Sequence, residues 1–410
     1  MPEPSIDAQR LWDSLMELAR IGATNKGGVC RLALTDEDRR GRDLFVRWCE
    51  EAGCSVRVDA MGNIFARRPG RDDSLAPVLS GSHLDSQPTG GKFDGAYGVM
   101  AALEVVRTLN DHGIETERPV EIVSWTNEEG SRFAPAMVGS GVWAGAFDLD
   151  YGHSRQDADG VTLGEALQAI GYAGGSEAGR PRPSAYLEAH IEQGPILEAE
   201  DKTVGIVLGV QGIRWYEATV TGQDAHAGPT PMTGRRDALL ASSKMIVAAN
   251  QAGLGQAPDG RATVGVIRNK PNSTNVIPGE VFFTVDLRHP QVQGLDAMET
   301  ALREHCDAIA TESGTRLELK RIWDSPPVAF AERCIDAVRA GTQDFGYAHR
   351  DIYSGAGHDA VYVSRVAPTG MIFVPCEGGL SHNEEESATP DDLAAGCNVL
   401  LGALRRLAGA

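Results

Sequence analysis

Residues 77–95 read PVLSGSHLDSQPTGGKFDG, and the order of features in this stretch decides the fold class. The apolar run 77–82 is a short strand that ends at His83. A glycine-rich turn carrying Asp94 follows. Beyond it Val99, Ala102, Leu103, Val106 and Leu109 recur at helical spacing, which predicts a helix with one buried face over 95–110. The same grammar returns along the chain. VEIVSW (120–125) runs into Thr126-Asn127-Glu128-Glu129-Gly130, AYLEA (185–189) runs into His190, and MIFVPC (371–376) precedes a glycine-rich loop that reaches His382. Strands alternating with helices predict an α/β fold with parallel strands. Four of those strands deliver His or Glu at their carboxyl ends, where open sheets of this class build ligand sites.

From about 212 to 327 the pattern changes. Period and turn signals predict a strand over 215–221, a helix over 235–250, strands over 262–267 and 281–288, a helix over 295–313 and a strand over 316–321. This β-α-β-β-α-β order is that of a ferredoxin-like α+β sandwich. The chain is therefore read as one α/β domain, residues 1–211 and 328–410, interrupted by a smaller α+β domain, residues 212–327. The polar, Gly/Pro-rich stretch 157–182 is read as a surface excursion holding one short helix at most.

Composition narrows the function. Among 410 residues, 38 Lys+Arg against 57 Asp+Glu leave a net charge of −19, which argues against a nucleic-acid-binding surface. Seven cysteines without C-x-x-C spacing point to a reducing, cytoplasmic setting and away from a thiolate zinc site. The start, MPEPSIDAQRLWDSL, lacks the basic and apolar regions of a signal peptide, and no apolar run approaches the roughly 20 residues of a membrane span. No G-x-S-x-G or phosphate-binding G-x-x-x-x-G-K-[ST] occurs. GAGHDA (355–360) matches a dinucleotide fingerprint only formally, because its imidazole and carboxylate would obstruct a pyrophosphate.

GSHLDS (81–86), GGKFDG (90–95) and NEEG (127–130) carry the chemistry jointly. Singly, each has a plainer reading: a hydrogen-bonded histidine, a turn or capping aspartate, a solvated charge pair. Together with His190 and His382 they place oxygen and nitrogen donors at neighbouring strand ends, a set suited to two divalent ions sharing a carboxylate. The working assignment puts His83, Asp94 and His190 on one ion, and Asp94, Glu129 and His382 on the other. Asp85 is expected to accept the second N–H of His83 and fix its tautomer. Glu128 is expected to face the attacking water as general base.

GSHLDS, GGKFDG, TNEEGSRF, EAHIEQGP, DAHAGPTPM, DLR, SGAGHDA and GGLSHNEEE come in the order of the peptidase M20 superfamily, and the chain resembles its hydantoinase/carbamoylase branch from about residue 10 to 405. That branch contains N-carbamoyl-L-amino acid hydrolases, β-ureidopropionase and allantoate amidohydrolase. The resemblance implies a mixed-sheet metal-binding catalytic domain with an inserted lid and dimerisation domain. It implies His83, Asp94, Glu129, His190 and His382 as ligands of two divalent ions (zinc, or manganese, cobalt or nickel) and Glu128 as base. His190 stands where the peptidase branches carry an acid. Gln193, His226, Asn275, Arg288 and the backbone of Gly355 match the branch's substrate-binding positions, with His226 supplied across a homodimer. On residues alone, Arg288 is as well explained by an ion pair with Asp286 as by a carboxylate clamp, and Asn275 by backbone capping. The implied activity is hydrolysis of N-carbamoyl-β-alanine or N-carbamoyl-L-α-amino acids to amino acid, carbon dioxide and ammonia. The alternatives are allantoate amidohydrolase and, from another class, an inactive homologue serving as a binding or assembly module.

Overall fold

The structure is a computed structural model describing residues 4–179 and 181–410. Residues 1–3, within the start discussed above, and Arg180, within the 157–182 stretch, lie outside the described residues. The chain divides into two compact units. One comprises the segment ending at Leu208 and the segment resuming at Ala329; the other is Gly209–Val328.

The first unit is built on a mixed sheet. Its centre is four parallel strands in the order Val120–Trp125, Val78–His83, Ala185–Ile191, Thr369–Val374. Each is buried along its whole length, as expected of strands covered on both faces. The flanks are antiparallel: Ile64–Arg68 and then Ser55–Val58 on one side, Val204–Val210 on the other. The parallel pairing expected from strand–helix alternation thus holds for the centre, and the antiparallel flanks make it the mixed sheet that the resemblance implied. The helix Ala96–Asp111 packs on this sheet and is buried nearly all round, its Val99, Leu103, Val106 and Leu109 joining the main core with the carboxyl-terminal helix Pro390–Ala408.

Within 157–182 the helix Leu163–Ala169 opens on a capping box of Thr162 and Glu165. It is more than a surface excursion. Leu163, Ala166 and Leu167 are buried against Met61, Phe133, Val138 and Val142 in a separate small core, which a search for long periodic runs passes over.

The second unit has strands Gly212–Thr221, Ile267–Lys270, Glu280–His289 and Arg316–Ser325, all neighbours antiparallel in the order second, third, first, fourth. With helices Ala238–Leu254 and Val292–Ser313 sharing its core, this is the ferredoxin-like order. The strand expected over 262–267 is two pieces, Arg261–Thr263 and Ile267–Lys270, which pair with opposite ends of Glu280–His289. Gly265 lies in the gap, where a strand without a side chain to pack is weakest.

Candidate metal centre

The four parallel strands all end on one side of the sheet, and their ends carry the donors. His83 closes its strand, His190 is the penultimate residue of Ala185–Ile191, Glu128 and Glu129 lie just past Trp125, and His382 is reached from Val374 through a short turn. His83 Nδ1 meets the backbone carbonyl of Asp85 at 2.9 Å, and His190 Nδ1 meets that of Ile191 at 2.8 Å. A carbonyl only accepts, so both Nδ1 atoms carry a hydrogen and both Nε2 atoms are left facing inward, able to offer a lone pair to an ion when the ring is neutral.

Those Nε2 atoms converge on Asp94. His190 Nε2 is 3.2 Å and His83 Nε2 3.7 Å from its Oδ1, while His382 Nε2 is 3.3 Å from its Oδ2 and 3.4 Å from Glu129 Oε2. His83, Asp94 and His190 form one donor group, and Asp94, Glu129 and His382 a second. Two donors about 2.1 Å from a tetrahedral ion stand about 3.4 Å apart, so these separations fit divalent ions such as zinc.

The backbone adapts to the geometry. Gly95 has φ of +63°, and a Cβ there would fall 2.3 Å from the His83 ring. Asn127 (φ +57°) and His382 (φ +54°) also take left-handed conformations, a cost of order 1 kcal/mol or more each that clusters at functional sites.

Asp85 corrects one expectation. The carbonyl of Asp85, not its carboxylate, orients His83; the carboxylate oxygen lies 3.9 Å from Nδ1. The carboxylate instead accepts the backbone N–H groups of Glu128 and Glu129, at 3.2 Å each, and so shapes the acidic turn. Sequence reasoning also passed over Gln87, which donates its backbone N–H and its side-chain amide to the two oxygens of Glu129 at 3.1 and 2.7 Å. Its place in the GSHLDSQ motif was the available signal. Ser381 and Glu386, flanking His382, were likewise overlooked.

The electrostatics describe a site short of positive charge. Burial, then the charges of Asp359, Glu129, Asp85 and Asp94, push the Glu128 carboxyl well above its ordinary range. Burial and Asp94 push Glu129 up to about 8. For Asp94 burial acts in the same direction, but hydrogen bonds from His190 and His382 outweigh it and hold the carboxyl well below its usual value. Burial opposes the charged form of His190, yet Asp94 raises it to about 9; at His83 burial wins and lowers it to about 4. Mutually repelling buried carboxylates beside inward-facing imidazole Nε2 atoms are the donor chemistry that divalent cations satisfy.

Gln193 (φ +56°) donates its side-chain amide to Asp94 Oδ2 at 3.0 Å. Gly355 is exposed, beside Ser354, whose hydroxyl meets His358 Nε2 at 2.8 Å; the buried His358 ring packs edge-on to His190. In the second unit the short ladder of Ala225–His226 with Val276–Ile277 sets His226 opposite Val276, next to Asn275. His226 Nδ1 accepts the Gly228 N–H at 3.1 Å, which leaves Nε2 to carry a hydrogen outward. Arg288 is engaged by Asp286, with contacts of 2.9 to 3.2 Å.

Peptidase family M20/M25/M40 matches residues 79–406. An N-carbamoyl-L-amino-acid amidohydrolase of Rhizobium meliloti is 48% identical over 399 residues, 97% of this chain and 96% of its own. An allantoate amidohydrolase of Bacillus subtilis is 35% identical, over 97% of each chain. Among solved structures, an amidase of the hydantoinase/carbamoylase family from Burkholderia multivorans aligns at a TM-score of 0.97 with 61% identity, covering 100% of both chains.

Proposed function

The chain belongs to peptidase family M20/M25/M40, and from that premise we propose that it is a metal-dependent amidohydrolase that removes the carbamoyl group of N-carbamoyl-L-α-amino acids. The products are the amino acid, carbon dioxide and ammonia. The observation that carries this reading is Glu128, a buried carboxylate whose Oε2 lies 3.5 Å from His83 Nε2, beside two donor groups joined by Asp94. The 48% identical relative supplies the substrate class.

Two divalent ions, zinc or alternatively manganese, cobalt or nickel, are proposed for the two groups; when bound they polarise the carbonyl and acidify water. Glu128, its proton affinity raised by burial and neighbouring carboxylates, takes a proton from water and returns it to the leaving nitrogen. Asp85 holds the turn that aims it. Gln193, His226, Asn275, Arg288 and Gly355 are proposed to bind substrate. For Arg288 this means exchanging Asp286 for the substrate carboxylate, a bidentate swap its planar fork permits.

The second unit is proposed as lid and dimerisation domain of a homodimer. Support comes from helix Ala238–Leu254, where Leu240, Val247 and Leu254, seven residues apart, form an exposed apolar stripe. Cytoplasmic residence is proposed from seven unpaired cysteines; no helix among the described residues is long and apolar enough to cross a membrane.

The allantoate reading rests on the 35% identical relative. The test is ammonia release from N-carbamoyl-L- and D-α-amino acids, N-carbamoyl-β-alanine and allantoate, each after chelation and metal add-back. Turnover of allantoate alone would replace the proposal with the second reading.

A further inference from the structure

Glu386 is 4% exposed and belongs to neither donor group, yet it touches both loops that build them. Its Oε1 accepts the backbone N–H of Phe93 at 2.9 Å and of Asp94 at 3.1 Å, groups that sit just before helix Ala96–Asp111. Its Oε2 accepts the Ser381 hydroxyl at 2.9 Å. Ser381 stands next to His382, receives the Gln193 amide at 3.1 Å, and lies 3.2 Å from Asp94 Oδ2. With one hydrogen, that hydroxyl donates to Asp94 or to Glu386. The Asp94 loop closes tightly on the carboxylate, since a Cβ on Gly91 would fall 2.0 Å from Glu386 Cδ.

We propose that Glu386 is the positioning residue of the bridging carboxylate. It fastens the loop of Asp94 to the loop of His382, parts of the chain 292 residues apart between Asp94 and Glu386, so that the second donor group exists before an ion arrives. Two main-chain N–H groups donating to one side-chain oxygen fix Asp94 at its backbone, while Ser381 couples the same carboxyl group to His382. The group Asp94, Glu129 and His382 depends on this tie more than the group His83, Asp94 and His190, whose histidines are oriented by backbone carbonyls one or two residues further on. Outer contacts of this kind are worth about 10–100-fold in metal affinity.

This inference rests on the two-ion reading, and calorimetric titration of Zn²⁺ and Mn²⁺ into the chelator-stripped full chain, with elemental analysis after dialysis, separates the two. Fewer than two ions on the parent protein overturns the two-ion reading and this inference with it. With two ions on the parent, Glu386→Ala is expected to weaken the second binding step 10–100-fold and to retain one ion, while the unfolding midpoint of the metal-free protein stays near that of the parent. Glu386→Gln keeps an oxygen for Phe93 and Asp94 and is expected to stay within about threefold of the parent. Unchanged second-step affinity in Glu386→Ala overturns the proposal, and so does an equal loss in the Gln and Ala variants, which would assign the effect to charge. If Glu386→Ala does not fold, Ser381→Ala at the partly exposed end of the tie decides: a several-fold weaker second step supports the proposal, and parental affinity overturns it.

Discussion

His83 and His190 each commit Nδ1 to a backbone carbonyl, at Asp85 and Ile191, so that a strand end dictates which nitrogen faces inward. Gly95 matters for the same reason from the opposite side. Gly95→Ala combines a left-handed φ with a Cβ 2.3 Å from the His83 ring, so metal content is expected to fall toward the one ion that His83 does not hold, measured by elemental analysis. Glu128→Gln removes the base and leaves both donor groups intact. Ammonia release is expected to drop by at least about 10²-fold with metal content unchanged, and full activity would sink the base assignment. These donor residue types were legible from motifs. The orientation of Asp85 was not, because i and i+2 at a strand-to-loop turn place backbone and side chain in positions that spacing alone leaves open; the carboxylate serves Glu128 and Glu129 instead.

Periodic elements were legible to within a few residues where one period governs a long run. Helix Ala96–Asp111 lies one residue from its expected span, because its apolar residues recur without a break. Leu103→Ala in that helix removes a fully buried side chain and is expected to cost about 2–5 kcal/mol, read as a lowered unfolding midpoint in calorimetry. The departures have physical reasons. Gly265 divides one expected strand into two, and the one short helix allowed within 157–182, Leu163–Ala169, has too few residues for its three buried side chains to show a period, so its burial was not legible. On helix Ala238–Leu254, Val247→Glu places a charge in the exposed apolar stripe. Light scattering is expected to report a monomer where the parent protein is a dimer; a parent that is already monomeric would remove the dimer proposal.

At the scale of the whole molecule, metal removal should act on stability as well as turnover, because ions that bind only the folded chain add their binding free energy to it. Chelation is expected to abolish ammonia release and lower the unfolding temperature, and add-back of Zn²⁺ or Mn²⁺ to restore both; an unfolding temperature indifferent to chelator would count against resident ions. By itself the sequence determined the class of fold, the interruption of one α/β domain by an α+β segment, and the residue types at the strand ends. Those follow from local periodicity and from motif chemistry, each carried by a few consecutive residues. Only tertiary structure decided which nitrogen of each histidine faces inward, which strands flank the parallel centre antiparallel, that Gln87 grips Glu129, and that Glu386 reaches Asp94 from the far end of the chain. Such contacts join residues tens to hundreds of positions apart, and their hydrogen bonds depend on directions that no local pattern encodes.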